Sequence, residues 1–133
     1  ENMAASGLDP DAHRWFPDDV RAHLGRAAKK PPRYGLVIVD PPAFGRARGV
    51  SVALENELDK LVAASLRVTI PGGVVIISTH SEGITGARVI AALQSAARDI
   101  ARPIDILPGE TTPALDFPKS ENDFTQTVFA RLR

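Results

Sequence analysis

The sequence predicts an α/β domain built on a mostly parallel sheet. Two runs of apolar, largely β-branched residues, 34–39 and 74–78, are typical of strands that are buried on both faces of such a sheet. Two longer segments, 51–68 and 86–100, carry apolar residues at helical spacing. Strands and helices that alternate in this way indicate a parallel α/β architecture.

The first thirty residues predict shorter elements. Residues 1–7 have the pattern of a final helical turn with a glycine stop, and we expect them to continue a helix from further upstream. A short strand is predicted around 13–16. Asp18 or Asp19 then caps a helix over 20–28, whose C-terminal end suits the lysines that follow it.

The C-terminal third predicts two more strands, at 104–107 and 127–132, after a turn at 71–73 and the helix at 86–100. A loop over 108–123 joins the two strands without a helix. Parallel neighbours need a crossover, so we expect one of these strands to be antiparallel.

The amino-acid composition limits the kinds of site and partner that this chain can have. The 133 residues suffice for a single domain, and sixteen basic residues balance sixteen acidic ones. This neutrality counts against a nucleic-acid partner without excluding one, because phosphate contacts normally show as a basic surplus or patch. The absence of cysteine excludes disulfides, thiolate zinc sites and cysteine nucleophiles, and it fits a cytoplasmic protein.

Polar clusters follow three predicted strands, at 18–19, 40–44 and 78–81, and ligands of α/β sheets bind outside such strand ends. Asp40-Pro41-Pro42 is the most informative cluster. The prolines hold Asp40 in an extended conformation, and Phe44 follows closely. The carboxylate could accept an N–H of a nucleobase while Phe44 stacks on it, although a strand-terminating turn explains the same residues.

Residues 34–49, read as an apolar strand, Asp-Pro-Pro, Phe44 and a basic loop that ends at Gly49, closely resemble the strand-four segment of the class I methyltransferases that modify bacterial 23S ribosomal RNA. The resemblance implies a Rossmann-like methyltransferase sheet, S-adenosylmethionine as the cofactor and RNA as the substrate. It also implies that residues 1–133 are the C-terminal portion of one catalytic domain, with strands one and two of the sheet missing.

The resemblance assigns roles to residues. Asp19 and Val20 match the acidic motif beside the adenine of the cofactor. Asp40, with Pro41, Pro42 and Phe44, would line the place where the cofactor methyl and the target base meet. The protein then acts mainly by alignment and by exclusion of water.

Two departures from the family pattern change the expectation. The glycine-rich cofactor loop and the acidic ribose-binding residue would lie upstream of Glu1, so we expect the chain alone to be inactive. Relatives that methylate carbon five of cytosine carry a cysteine where this chain has His80. Carbon five becomes nucleophilic only after a thiolate adds to the ring, so methylation of a base nitrogen is favoured.

The remaining polar candidates each have two explanations. His80 could hold the target base or accept a proton, or it could simply be hydrogen-bonded at a strand end. Arg46 and Arg48 could contact RNA phosphates from the loop after Phe44, or be solvated there. His13 and His23 have no partners at metal-ligand spacing, and we expect them at the surface.

Two other functions stay open. The same motif could serve methylation of a protein or a small molecule, and a non-catalytic domain could keep the fold for docking or dimerisation. The missing strands predict an exposed sheet edge beside the strand at 34–39. Exposed edges invite association, so a homodimer through this edge is expected.

Overall fold

The computed structural model describes residues 2–12, 14, 16–41, 44–47, 50–81, 83–108 and 126–133. The helices and strands in chain order are α1 (Asn2–Ala5), a 3₁₀ turn (Pro10–Ala12), α2 (Val20–Ala27), β1 (Tyr34–Val39), β2 (Phe44–Ala47), β3 (Val50–Ala53), α3 (Leu54–Val68), β4 (Thr69–Thr79), α4 (Gly86–Asp99), β5 (Ile104–Leu107) and β6 (Gln126–Leu132).

Four strands form the main sheet in the order β1-β4-β6-β5, and β2 pairs with β3 in a separate two-stranded sheet. β1 and β4 are parallel, and β6 is antiparallel to both of its neighbours. β1, β4 and β5 therefore run in one direction and β6 runs in the other. The predicted mostly parallel sheet with one antiparallel strand near the C-terminus is confirmed.

The core lies between the sheet and helices α2, α3 and α4. Alternate residues of β4 are buried, because successive side chains of a strand point to opposite faces. Val75 and Ile77 are fully buried and belong to one cluster with Leu58 and Val62 of α3 and Leu93 of α4. Burial of each large aliphatic side chain contributes about 1.5 to 3 kcal/mol, so this layer supplies most of the driving force for folding.

The predicted turn at 71–73 is a bulge within β4. Tyr34 pairs with Thr69, whereas Leu36, two residues later in β1, pairs with Val74. The extra residues of β4 loop out, and Gly72 takes the positive φ of 77° that glycine adopts without strain.

Two local predictions were wrong. Residues 51–53, expected in a helix, form β3, so α3 begins at Leu54. The β-branched Val50 and Val52 face a second strand across a short connection, and this pairing overrides the helical periodicity. The strand expected at 13–16 is absent from its described residues, since Arg14 and Phe16 lie outside any strand.

β1 forms an edge of the main sheet within the described part of the chain, where an exposed edge was expected. Two of its apolar side chains are exposed, Leu36 by 53% and Ile38 by 64%. No helix among the described residues is long and apolar enough to cross a membrane.

Candidate active site

Asp40 and His80 meet at the carboxyl edge of the sheet. Each residue directly follows a strand, Asp40 after β1 and His80 after β4, and these strands are parallel neighbours. Their C-terminal ends therefore lie side by side, and His80 Nε2 is 3.1 Å from Asp40 Oδ1. Both side chains are more than half exposed, at 54% and 57%, so they face solvent rather than the core.

An apolar pocket of about 320 Å³ opens beside Asp40. Its lining comes from the start of α2, the last residues of β1, the first proline and α3: Val20, Leu24, Val37, Ile38, Val39, Asp40, Pro41 and Leu61. The volume lies at the lower end of the range for small-molecule pockets, about 300 to 1,000 Å³. One carboxylate at the rim of an apolar cleft suits a flat, weakly polar ring that offers an N–H.

Asp19 is the N-cap of α2. Its carboxylate accepts hydrogen bonds from the backbone N–H groups of Arg21 and Ala22 at 2.9 and 3.3 Å, and from the Arg21 guanidinium at 3.1 and 2.8 Å. The Arg21 hydrogen bond holds the pKa of Asp19 well below its usual value, so the carboxylate is ionised at neutral pH. Oδ1 takes three of these bonds and Oδ2 one, which leaves Oδ2 with acceptor capacity.

The N-cap at Asp19 also fixes the position of Val20 at the start of α2. As the first residue of α2, it is 51% exposed and lines the pocket. Val20 shares the pocket lining with Asp40 and Pro41, whereas Asp19 does not line it.

The segment after Pro41 is described in part. Phe44 and Arg46 lie in β2, which pairs with β3 in the register Phe44↔Ala53 and Arg46↔Ser51. The loop predicted for Arg46 was therefore wrong. Pro42 and Arg48 lie outside the described residues, as does His13, and the side chains of Phe44 and Arg46 are not described.

Sequence reasoning missed two parts of the site. The contact between His80 and Asp40 joins residues that were assigned separately, and the parallel pairing of their strands was the signal for it. Leu24 and Leu61, which line the pocket, were assigned only to helix faces. His23, expected at the surface, is half-buried, and its ring centroid lies 5.1 Å from that of Phe16.

The chain is similar along nearly its whole length to solved methyltransferase structures. SMU.776, a methyltransferase complexed with S-adenosylhomocysteine, matches 97% of this chain with a TM-score of 0.71 at 18% identity. An S-adenosylmethionine-dependent methyltransferase of Agrobacterium tumefaciens matches 99% of it with a TM-score of 0.68, also at 18% identity. The fold is that of an S-adenosylmethionine-dependent methyltransferase. The methyltransferase fold predicted from the sequence is thereby confirmed.

The curated relatives with similar sequences carry the names of ribosomal RNA methyltransferases. YwbD of Bacillus subtilis, which carries the name of a ribosomal RNA large subunit methyltransferase, is 32% identical over 81 residues, 61% of this chain and 20% of its own length. Ribosomal RNA large subunit methyltransferase K of Neisseria meningitidis is 24% identical over 103 residues, 76% of this chain and 29% of its own length. The resemblance to the ribosomal RNA methyltransferases is confirmed. No protein-family model matches the chain.

The methyltransferase fold of this chain corresponds to a part of each relative. The chain spans 20% and 29% of the length of these two curated relatives, and 34% and 43% of the length of the two solved structures.

Proposed function

We propose that this chain forms the acceptor side of the active site of an S-adenosylmethionine-dependent methyltransferase that methylates a base nitrogen of large-subunit ribosomal RNA. The observation that carries the proposal is the meeting of Asp40 and His80 at the carboxyl edge of the sheet, beside an apolar pocket. The names of the curated relatives support RNA as the substrate. A ribosomal RNA substrate would place the protein in the cytoplasm.

The pocket suits the adenine of the cofactor on its own chemistry. Val20, Leu24 and Leu61 supply apolar walls for a flat ring, and the ionised Asp19 lies directly before Val20 with acceptor capacity on Oδ2. We assign Asp19, Val20 and Asp40 to cofactor binding. When bound, S-adenosylmethionine supplies an activated methyl group, so the protein needs to contribute placement rather than a covalent intermediate.

The acceptor base is held by the residues after β1 and β4. Asp40 Oδ1 accepts from His80 Nε2–H, which leaves Oδ2 to accept an N–H of the base. We assign to the His80 imidazole the acceptance of the proton that the methylated nitrogen loses. Pro41 fixes φ directly after β1. We assign Pro42 to the same base site, stacking on the base to Phe44 and phosphate contacts to Arg46 and Arg48.

Cytosine C5 is disfavoured as the target. The chain contains no cysteine, and His80 occupies the position at which C5-methylating relatives carry one. An exocyclic or ring nitrogen has its own lone pair and needs no thiolate to become nucleophilic.

The test is methyl transfer by the full-length protein that contains this chain. It is incubated with isotopically labelled S-adenosylmethionine and large-subunit ribosomal RNA, and the nucleosides are identified by mass spectrometry. An N-methylated nucleoside that disappears in Asp40→Ala and persists in Asp11→Ala, a control at an exposed position that lines neither the pocket nor the strand ends, supports the proposal. A 5-methylcytidine product would overturn the nitrogen assignment.

Calorimetry with S-adenosylhomocysteine separates the alternatives. Binding without transfer to RNA would favour a protein or small-molecule substrate. Absence of binding to the full-length protein would leave a scaffold role. Titration of this chain by itself tests the further expectation that it binds the cofactor weakly or not at all.

We also propose that two copies of this chain associate through β1 when it is produced by itself. An edge strand presents unpaired N–H and C=O groups, and the exposed Leu36 and Ile38 would be covered by a second strand. Ultracentrifugation should show a dimer for this chain and a monomer for Ile38→Lys. A monomer for both would contradict the proposal.

A further inference from the structure

Basic side chains gather at the amino edge of the sheet, opposite the candidate active site. Each helix runs antiparallel to the strands, so α2, α3 and α4 all end at the edge where β1 and β4 begin. These ends carry Lys29 and Lys30 after α2, Arg67 in the last turn of α3 and Arg98 in the last turn of α4. Because α3 contacts both α2 and α4, the three ends lie in one row.

Backbone contacts confirm that these segments are neighbours. The N–H of Arg33 donates to the carbonyl of Val68 at 3.0 Å, which joins the start of β1 to the end of α3. The Arg102 guanidinium donates to the carbonyl of Leu66 at 3.2 Å, which joins the segment after α4 to the same helix end. The positive charge of Arg102 is thereby fixed in position.

A groove of about 700 Å³ lies at the α4 end of this row. Three arginines line it, Arg98, Arg102 and Arg133, together with Gln94. Arg133 is paired with Asp105, whereas Arg98 has no ion pair within the described part of the chain. We call Lys29, Lys30, Arg67, Arg98, Arg102 and Arg133 the basic rim.

The rim concentrates basic side chains at one edge of the described sheet. Four of its side chains, Lys29, Lys30, Arg67 and Arg98, are exposed and form no ion pair with any described residue. Acidic side chains are also present at this edge, since Asp99 follows Arg98 in α4 and Asp105 pairs with Arg133. The four unpaired basic side chains outnumber them among the described residues.

We propose that the basic rim binds phosphates of the RNA substrate at a distance from the target base; this inference rests on the proposed function. Arginine guanidinium groups match phosphate geometry, and four of the six rim residues are arginines. Cations at helix C-termini also interact favourably with the helix dipole. That effect requires no RNA, so the two roles make different predictions about RNA affinity.

The distance between the basic rim and Asp40 indicates which part of the RNA the rim contacts. β1 is six residues long, which separates the rim from Asp40 by about 17 to 20 Å at 3.3 Å per residue. The rim therefore contacts a segment that flanks the target nucleotide. RNA that reaches both places runs along the length of the strands.

The experiment measures RNA affinity of the full-length protein against salt concentration, by fluorescence anisotropy with a labelled single-stranded segment of large-subunit ribosomal RNA. Each phosphate contact to a single strand contributes about 0.7 to the slope of log K against log salt. Arg67→Gln/Arg98→Gln should lower the slope by about 1.4 and weaken binding about 25-fold at 0.1 M salt. Circular dichroism checks that the variant is folded.

Matched variants distinguish the explanations. Lys60→Gln/Arg88→Gln removes the same charge from the first half of α3 and the first turn of α4, towards the opposite edge of the sheet, and should leave the slope nearly unchanged. Arg67→Lys/Arg98→Lys keeps the charge and should restore most of the affinity. A slope that is unchanged in the Gln variant, or lowered equally in the control, would overturn the proposal.

Two further measurements distinguish a failure of the rim proposal from a failure of the proposed function. Equal, rim-dependent binding of polyglutamate would show a general polyanion surface and would also overturn the RNA assignment. Binding is measured without S-adenosylmethionine, so a failure of methyl transfer leaves this result intact. A protein that methylates RNA normally but shows no rim dependence would refute the rim alone.

Discussion

Replacement of Ala101 by glycine should stabilise the protein. Ala101 follows α4 and has a φ of 52°, in the left-handed region that disfavours residues with a Cβ atom. Its N–H donates to the carbonyl of Arg98, and the N–H of Arg102 donates to the carbonyl of Ala97, both at 3.0 Å. These two bonds form a Schellman motif, in which this position is usually glycine.

The magnitude follows from two opposing terms. A left-handed conformation costs an L-residue about 1 to 2 kcal/mol, whereas glycine adds about 0.4 to 1 kcal/mol of unfolded-state entropy. The Ala101→Gly variant should therefore gain about 0.5 to 1 kcal/mol. At an unfolding entropy of about 2.1 cal/mol/K per residue, 133 residues convert this gain into a Tm rise of about 2 to 4 °C.

Urea denaturation followed by circular dichroism measures the change in free energy, and the slope m should stay constant. Ala28→Gly is the matched control. Ala28 ends α2 with a φ of −67°, a right-handed conformation, so glycine there should cost about 0.5 to 1 kcal/mol. If both substitutions destabilise, the left-handed conformation of Ala101 does not explain the end of α4.

Three other substitutions test the core, an ion pair and the site. Gly73→Ala should cost about 2 kcal/mol in urea denaturation, since a Cβ there would lie 2.7 Å from a neighbouring methyl and 2.9 Å from a carbonyl oxygen. Arg88 forms two hydrogen bonds to Asp59 and lowers its pKa, so Arg88→Met should cost at most about 1 kcal/mol at pH 7. That cost should vanish as the pH falls below about 3.9 through the lowered pKa, and a cost that persists at low pH would contradict the ion pair. His80→Ala should reduce methyl transfer by at least about 100-fold and leave the Tm unchanged, because His80 is exposed; a normal rate would refute its role.

Sequence patterns correctly predicted the helices and strands that are specified by their own residues. The strand at 34–39 and the helix that begins at Gly86 were placed correctly, because an unbroken β-branched run and a regular apolar spacing need no partner to be recognised. The β2–β3 hairpin was missed, since its strands are stabilised by each other and residues 51–53 also fit a helical pattern.

The sequence predicted single residues of the candidate site but not the contacts between them. Asp40 and His80 were each assigned to a strand end from the sequence, and the rule that strand ends hold ligands was sufficient for that. Their contact depends on which strands are neighbours, and the pocket depends on how Leu24 and Leu61 pack. Neither the order of the strands nor side-chain packing is written in a local pattern.

The position of β6 has a consequence for folding during synthesis. β6 separates β4 from β5 in the sheet, although it follows both in the chain. While residues 126–132 are still inside the ribosome, β4 and β5 have no strand between them, and the face of α4 that packs on β6 stays uncovered. The helices can form as they emerge, but β4 gains its second neighbour only when β6 is released, and until then that edge of β4 is open to association.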